Sequence, residues 1–421
     1  MEPPTELPGV VRAGRPARVG LALAGGAPEG TVYEIGALRA LDEALAGVDW
    51  NDLFVYVGVS SGAVLAACLA NGVTPAQMCR VLVGEEPGEP PFLADTFLRP
   101  SPAIARGARA LPGLLVEALW RYVRHPGQHT LLESLTLLSR ALPAGFFDNE
   151  PLREYLAEVF ARAGRSDDFR QLARRLVVVA VDLDSGQAVH FGDPGFDHVP
   201  ISRAVQASAA LPGLFPPVAI DGRHYVDGIL LKTVHASVAL AAGADLVLCV
   251  NPIVPVDTAR AVEAGLLDRG TLLEHGLPTV LSQTFRTLIH SRLEVGMAAY
   301  GSKFEHADVV LLEPERDDYL MFFTNIFGFA ERRAVCEHAY HATLRTLAAR
   351  RAELAPILAR HGIALRDEVL DDERRSLWGG LGLTAPARGT RPPRGDGAAV
   401  VRRVDEAASR LERLLAARAV P

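Results

Sequence analysis

The sequence predicts an α/β fold with a mainly parallel central sheet and added helices. Two short apolar runs, at residues 19–24 and 53–57, are each followed by a small-residue loop and then by a helical pattern, and apolar runs return at 176–181 and 244–250. Strand–loop–helix repeats of this kind lay strands side by side with helices outside the sheet. The 421 residues are 49% hydrophobic and only 22% charged, which suits a folded chain with a substantial core.

Each element follows from local pattern. Val19 to Ala24 reads as the first strand, and Gly25-Gly26-Ala27-Pro28-Glu29-Gly30 as the loop after it. A helix then starts near Thr31, with Ile35, Leu38 and Leu41 on its apolar face. Residues 53–57 form the second strand, Gly58-Val59-Ser60-Ser61-Gly62 a tight turn, and 63–70 the next helix. Residues 81–170 are less regular, with Pro90-Pro91 and helical patterns near 114–120 and 131–138. This helical excursion reads either as a cover over a site or as an ordinary packed insertion. Further on, 276–300 reads as helix, 309–312 as a late strand and 330–361 as helix.

The expected organisation is a flexible leader at 1–17, one domain at 18–380, a mobile linker at 384–397 and a terminal helix at 401–418. Val404, Ala408, Leu411 and Leu415 share one face of that last helix, suited to packing on this chain or on a second copy, as in a homo-oligomer.

Several classes are disfavoured. A net charge of −7, with no basic stripe or interleaved aromatics, gives no nucleic-acid footprint. Cys68, Cys79, Cys249 and Cys336 lack metal or redox spacing and fit a reducing, cytoplasmic setting. The opening Met1-Glu2-Pro3-Pro4 has no signal-peptide pattern, and no segment has the length and apolarity of a membrane span. Asp182 and Asp184 read as turn residues, and no cofactor or metal is expected.

The chemistry concentrates in three places. Ser60 stands at the centre of a G-x-S-x-G turn between strand and helix, where Gly58 and Gly62 leave room for a sharp bend that projects the hydroxyl. A plain glycine-serine turn is the competing reading. Gly25 to Gly30 lacks the Lys-Ser or Lys-Thr of a phosphate loop, and Ala27 breaks the dinucleotide spacing. Backbone N–H groups at such a loop suit an oxyanion hole, although tight turning alone also explains the adjacent glycines. Asp227, in Tyr225-Val226-Asp227-Gly228, is either a turn aspartate or a partner that activates Ser60.

In combination these segments resemble the patatin-like phospholipase family over residues 18–255. The matching blocks are the loop at 21–30, the Ser60 turn, residues 207–218 (Ala-Ser-Ala-Ala-Leu-Pro-Gly-Leu-Phe-Pro-Pro-Val) and Val226-Asp227-Gly228, in that order. The resemblance implies a three-layer α/β/α core and a Ser60–Asp227 dyad, with an oxyanion hole at Gly25, Gly26 and Ala27. It further implies hydrolysis of phospholipid or other acyl esters through an acyl-enzyme. His190, His198, His224 and His235 lie in the broad region where a third catalytic member would stand.

Three positions depart from the family pattern. Ala27 replaces a glycine and preserves the hole if its backbone dihedral is negative; Glu29 replaces a basic residue; and Ile229 replaces a small one. A negative charge at Glu29 disfavours an anionic headgroup unless an arginine or lysine pairs with it. A lipid-binding or protein-interaction module and an acyltransferase are the alternative functions. The segment 319–329, rich in aromatic and apolar residues and followed by Arg332-Arg333, reads as core or as a point of peripheral membrane contact.

Overall fold

The computed structural model describes residues 16–91, 99–124, 143–263, 271–274, 276–316, 318 and 329–383. Its centre is an eight-stranded mixed sheet. Strands β1 (Val19–Leu23), β3 (Val55–Val59), β4 (Arg175–Asp182), β8 (Leu246–Val250) and β9 (Asp308–Leu312) run parallel in the order β9-β8-β1-β3-β4. The other three, β5 (Ala188–Phe191), β6 (Val218–Ile220) and β7 (Arg223–Asp227), add antiparallel pairs beyond β4. A short strand β2 (Leu45–Ala46) pairs separately with β10 (Ala364–Leu365). All five residues of β3 and of β8 are buried, as expected of strands covered on both faces.

Helices cover both faces. On one side lie α1 (Ala27–Ala44), α2 (Ser61–Ala70), α3 (Pro75–Leu82), α5 (Glu150–Phe160) and α6 (Ile201–Ser208), packed over Leu21, Leu23, Tyr56 and Val178. On the other, α7 (Ala236–Ala241) and α8 (Leu277–Lys303) cover Ala22, Val55, Val57 and Val179. The alternation along each strand divides the core into two layers and completes the three-layer α/β/α arrangement.

Several local expectations shift. Helix α1 begins at Ala27, four residues earlier than the apolar pattern suggested, because Pro28 is admissible in the first turn, where no intrahelical N–H is needed. The helical stretch at 330–361 is two helices, α9 (Phe329–Ala349) and α10 (Arg351–Arg360), separated at Arg350. The pattern near 114–120 belongs to a longer helix, α4 (Pro102–Arg124). Residues 1–15, 131–138, 319–328 and 384–421 lie outside the described residues. Cys79, Cys249 and Cys336 are buried, while Cys68 is half-buried.

The orientation of α1 matters because it carries the loop at 25–30. Buried Glu43 near its end accepts hydrogen bonds from Tyr340 Oη and Arg375 Nε, both at 2.5 Å. Gly36 lets α9 approach closely: a methyl group there would lie 2.2 Å from the Cys336 carbonyl oxygen and 3.0 Å from Ala339 Cβ. Gly36→Ala therefore forces the helices apart and should lower unfolding free energy by about 1–3 kcal/mol in a denaturant titration.

Candidate active site

Strand β4 assembles the site. Val59 of β3 pairs with Val179, and Asp227 of β7 pairs with the next residue, Ala180. Because β5 occupies the opposite edge at both Val178 and Ala180, β3 and β7 meet end to end along a single edge of β4. The residue just after β3 is Ser60, and the last of β7 is Asp227. Two residues 167 positions apart in sequence are thus brought together by ladder register.

Ser60 occupies a strained turn, with φ 52° and ψ −121°. A non-glycine residue in this region typically costs on the order of 1–3 kcal/mol and persists only where its surroundings enforce it. Ser208, buried at the end of α6, does so: the Ser60 N–H donates to its Oγ at 2.8 Å, and that hydroxyl donates to the Val179 carbonyl at 2.6 Å. Glycine removes the remaining obstacles. A methyl at Gly58 would lie 2.4 Å from Ala63 Cα, and one at Gly62 would lie 2.4 Å from the Ala24 carbonyl oxygen, which accepts the Gly62 N–H.

Asp227 is buried, 1% exposed, and its N–H donates to the Ala210 carbonyl. Its Oδ1 accepts from the Ile229 N–H at 2.9 Å, so the turn-aspartate reading holds for one oxygen. The Ser60 hydroxyl faces the same carboxyl. Burial raises the carboxyl to about 7, against the ionised-form preference of the Ile229 N–H and the Ser60 hydroxyl. Ile229, the departure from the small-residue pattern, keeps this amide and turns its side chain towards the loop: a methyl at Gly25 would collide with Ile229 Cδ1 and with Ser60 Cβ, both at 2.9 Å.

The loop at 25–27 thus lies directly against Ser60. Gly26 precedes α1, whose first helical bond runs from the Gly30 N–H to the Gly26 carbonyl, and the amides at this helix start have no carbonyl one turn back to receive them. Ala27 does not meet the expected condition. Its φ is +53°, in the left-handed region that favours glycine, and it is exposed. Glu29 is half-buried beside Arg286 of α8; burial pushes its carboxyl up and Arg286 opposes the shift. The charge that replaced a basic residue is thus within electrostatic reach of an arginine on another element, and nothing in the sequence spacing points to Arg286.

No histidine joins the pair among the described residues. His190, His198 and His224 lie beside Asp193, Asp221 and Asp184 at 3.5, 2.8 and 4.0 Å. His235 is buried against the Gly228 backbone, and burial holds it neutral, at about 3. Asp182 accepts turn N–H groups from Asp184 and Ser185 and pairs with Arg223, yet it is buried, not a surface turn residue. Among the described residues, no group of three His, Cys, Asp or Glu side chains could hold a metal ion.

A strained serine at a strand-to-helix elbow, a carboxyl beside it and a glycine loop against it mark this as an α/β protein built around a serine elbow. The patatin-like phospholipase family model matches residues 21–240, more than half of the chain, and the chain belongs to that family. An uncharacterized NTE family protein of Mycobacterium tuberculosis is 28% identical over 234 residues, a match covering 55% of this chain and 30% of that protein. Among solved structures, VipD from Legionella pneumophila aligns with a TM-score of 0.36 and 15% identity, over 83% of this chain and 72% of its own. The type III effector ExoU of Pseudomonas aeruginosa aligns at 0.35 and 16%, over 85% and 58%.

Asp227→Asn tests the burial of the carboxylate. A carboxyl raised from 3.8 to about 7 binds its proton more tightly in the folded chain, so its contribution to stability is greatest below 3.8 and is lost as pH rises through 7. A shift of that size is worth up to about 4 kcal/mol. Asparagine keeps an acceptor for the Ile229 N–H without the charge. Its melting temperature should exceed that of the native chain at pH 8, and the difference should shrink towards pH 5.

Proposed function

We propose that this chain is a serine-dependent lipid acyl hydrolase that cleaves carboxylic esters with Ser60 as nucleophile and Asp227 as its proton acceptor. The observation that carries this reading is the meeting of a strained, elbow-held Ser60 hydroxyl with a buried Asp227 carboxyl whose affinity for a proton lies near neutrality. A base poised near the working pH combines availability with driving force.

In this reading Ser60 Oγ attacks the acyl carbon while its proton passes to Asp227. The carbonyl oxygen becomes an oxyanion, which the amides at Gly25, Gly26 and Ala27 stabilise together with the positive end of α1. Collapse expels the alcohol, which takes the proton from Asp227 and leaves an acyl group on Ser60. Water then attacks that ester, giving its proton to Asp227, and the departing Ser60 oxygen recovers it. The positive φ of Ala27 departs from the condition set for it, and its strain is of the kind that collects at functional sites. Burial favours the neutral form of Glu29 and Arg286 lies within electrostatic reach of it, so an anionic headgroup meets less repulsion there than the sequence suggests, and phospholipids stand beside neutral acylglycerols as substrates.

Access to lipid is assigned to α4. Ile104, Leu111 and Leu115 share one face at helical spacing and are 39, 41 and 47% exposed, with Val116 and Trp120 exposed beside them. The helix carries four arginines against one glutamate. Exposed apolar residues on a basic helix suit the surface of an anionic bilayer. No helix of the described residues is long and apolar enough to cross a membrane.

Two measurements check these assignments. A fluorophosphonate should label Ser60 in the native chain, with labelling lost in Ser60→Ala and reduced at least about 100-fold in Asp227→Asn; ester turnover should rise with pH through about 7 and level off above it, since only the ionised carboxyl accepts a proton. Labelling at another residue, or an acid limb near 4, would remove the dyad. Separately, Leu111→Asp with Leu115→Asp should weaken co-sedimentation with phosphatidylglycerol vesicles by about tenfold or more. Circular dichroism would establish that the variant is folded.

A further inference from the structure

Helix α8 packs one face on the sheet, where Ile289, Leu293 and Tyr300 join the core over Val55 and Val57. Its outer face has no partner among the described residues. There Leu277, Leu281, Leu288 and Val295 are 69, 57, 61 and 70% exposed, and Thr284, Ser291, Ala298 and Ser302 are exposed with them. Taken in order, these positions step alternately by four and three residues, so they form one stripe that recurs every seven residues over about 38 Å of helix.

The make-up of the stripe suits another helix better than lipid. No charge stands in it. The Thr284 hydroxyl donates to the Val280 carbonyl at 2.8 Å and the Ser302 hydroxyl to the Ala299 carbonyl at 3.1 Å, so both can be covered without losing a hydrogen bond. A helix lying on a bilayer needs a broad apolar face, whereas exposed Ser282, Thr287, Arg292 and Glu294 border this stripe closely. A narrow seam with a seven-residue repeat is the pattern of a helix pair.

We infer that the outer stripe of α8 docks on the same stripe of a second copy of this chain, with the two helices antiparallel. A two-fold axis between residues 289 and 290 sets Leu277 opposite Ser302, Leu281 opposite Ala298, Thr284 opposite Val295 and Leu288 opposite Ser291. Each layer then holds one large and one small residue, so knobs meet holes along the whole seam. A parallel pair would instead stack leucine on leucine and serine on serine, leaving wide and hollow layers in turn. In the antiparallel pair Arg292 and Glu294 fall opposite Thr287 and Phe285, so no like charges meet beside the seam. A strip about 38 Å long and one helix wide covers roughly 400 Å² on each copy. A stable interface covers about 800 Å² on each partner, so the pair is a weak, concentration-dependent dimer. Its seam backs onto the supports of the site, since α8 also brings Arg286 near Glu29 and donates from Arg292 Nη1 to the Leu230 carbonyl at 2.8 Å. The pairing does not depend on the hydrolase reading.

Sedimentation of the full chain tests the surface, and cross-linking tests its geometry. The native chain should pass reversibly from monomer to dimer across the micromolar range, and Leu281→Asp with Leu288→Asp should raise the dissociation constant at least about tenfold. Circular dichroism would establish that this variant is folded, and Val295→Lys serves as the second variant should it not be. Under mild oxidation, a mixture of Leu281→Cys and Ala298→Cys chains should yield a disulfide-linked dimer. Neither chain alone should do so, because like positions lie about 25 Å apart in the antiparallel pair. The native cysteines are common to both chains, and three of the four are buried. A chain that stays monomeric at every concentration, a dimer that survives the two aspartates, or linkage of Leu281→Cys chains to one another overturns the inference. Loss of vesicle binding in the aspartate variant with association unchanged also overturns it and makes the stripe a lipid surface.

Discussion

The shared edge of β4 is the constraint on which the rest of the site depends. A strand in a sheet offers one edge to each neighbour, and here the neighbour changes identity between Val179 and Ala180, from β3 arriving in one direction to β7 arriving in the other. The two chain ends that meet at this change are the Ser60 elbow and Asp227. Register is costly to shift when both faces of the sheet are buried, since a one-residue slip would turn every side chain to the opposite layer. The packing of Val177 to Ala180 against both cores therefore fixes the separation of two groups that stand far apart in the sequence.

Around this seam the backbone is packed too closely for side chains. Gly228 illustrates the requirement, since a methyl there would lie 2.3 Å from the Val179 carbonyl and 3.2 Å from Val59 Cγ1. With Gly25, Gly58 and Gly62 it lets the loop at 25–27, the elbow and the end of β7 converge within van der Waals contact. The Ser208 hydroxyl adds a polar link across the same point, satisfying the Ser60 N–H and the Val179 carbonyl together. Both groups are buried, and leaving either without a partner would cost roughly 1–3 kcal/mol. Ser208 is thus a positioning residue for the elbow, tying its strained backbone to the strand that also holds Asp227.

Sequence pattern made the strands and the elbow legible because their physical causes are local: apolar runs bounded by glycine, then helix-forming residues. It located the Ser60 turn, the glycine loop and the Asp227 turn as separate features whose likeness to one family rested on their order. What stayed hidden depends on contacts between distant segments. The role of Ser208 required α6 to end against β4, and the electrostatic influence of Arg286 on Glu29 comes from a position more than 250 residues along the chain. The sign of the Ala27 φ was likewise out of reach, since it follows from how Pro28 starts α1 immediately after Gly26.

Desolvation of Asp227 links stability to chemistry at this seam. A carboxylate enclosed by two cores is poorly solvated, and only the Ile229 N–H and the Ser60 hydroxyl favour its charged form. Additional donors would hold the charge more comfortably and would also make it a weaker base. The absence of a histidine in contact with the pair among the described residues places proton transfer on this carboxyl alone in the proposed mechanism, so its raised affinity for protons is functional in that scheme. Burial that penalises the folded chain above neutrality is the same burial that makes an aspartate basic enough to take a serine proton.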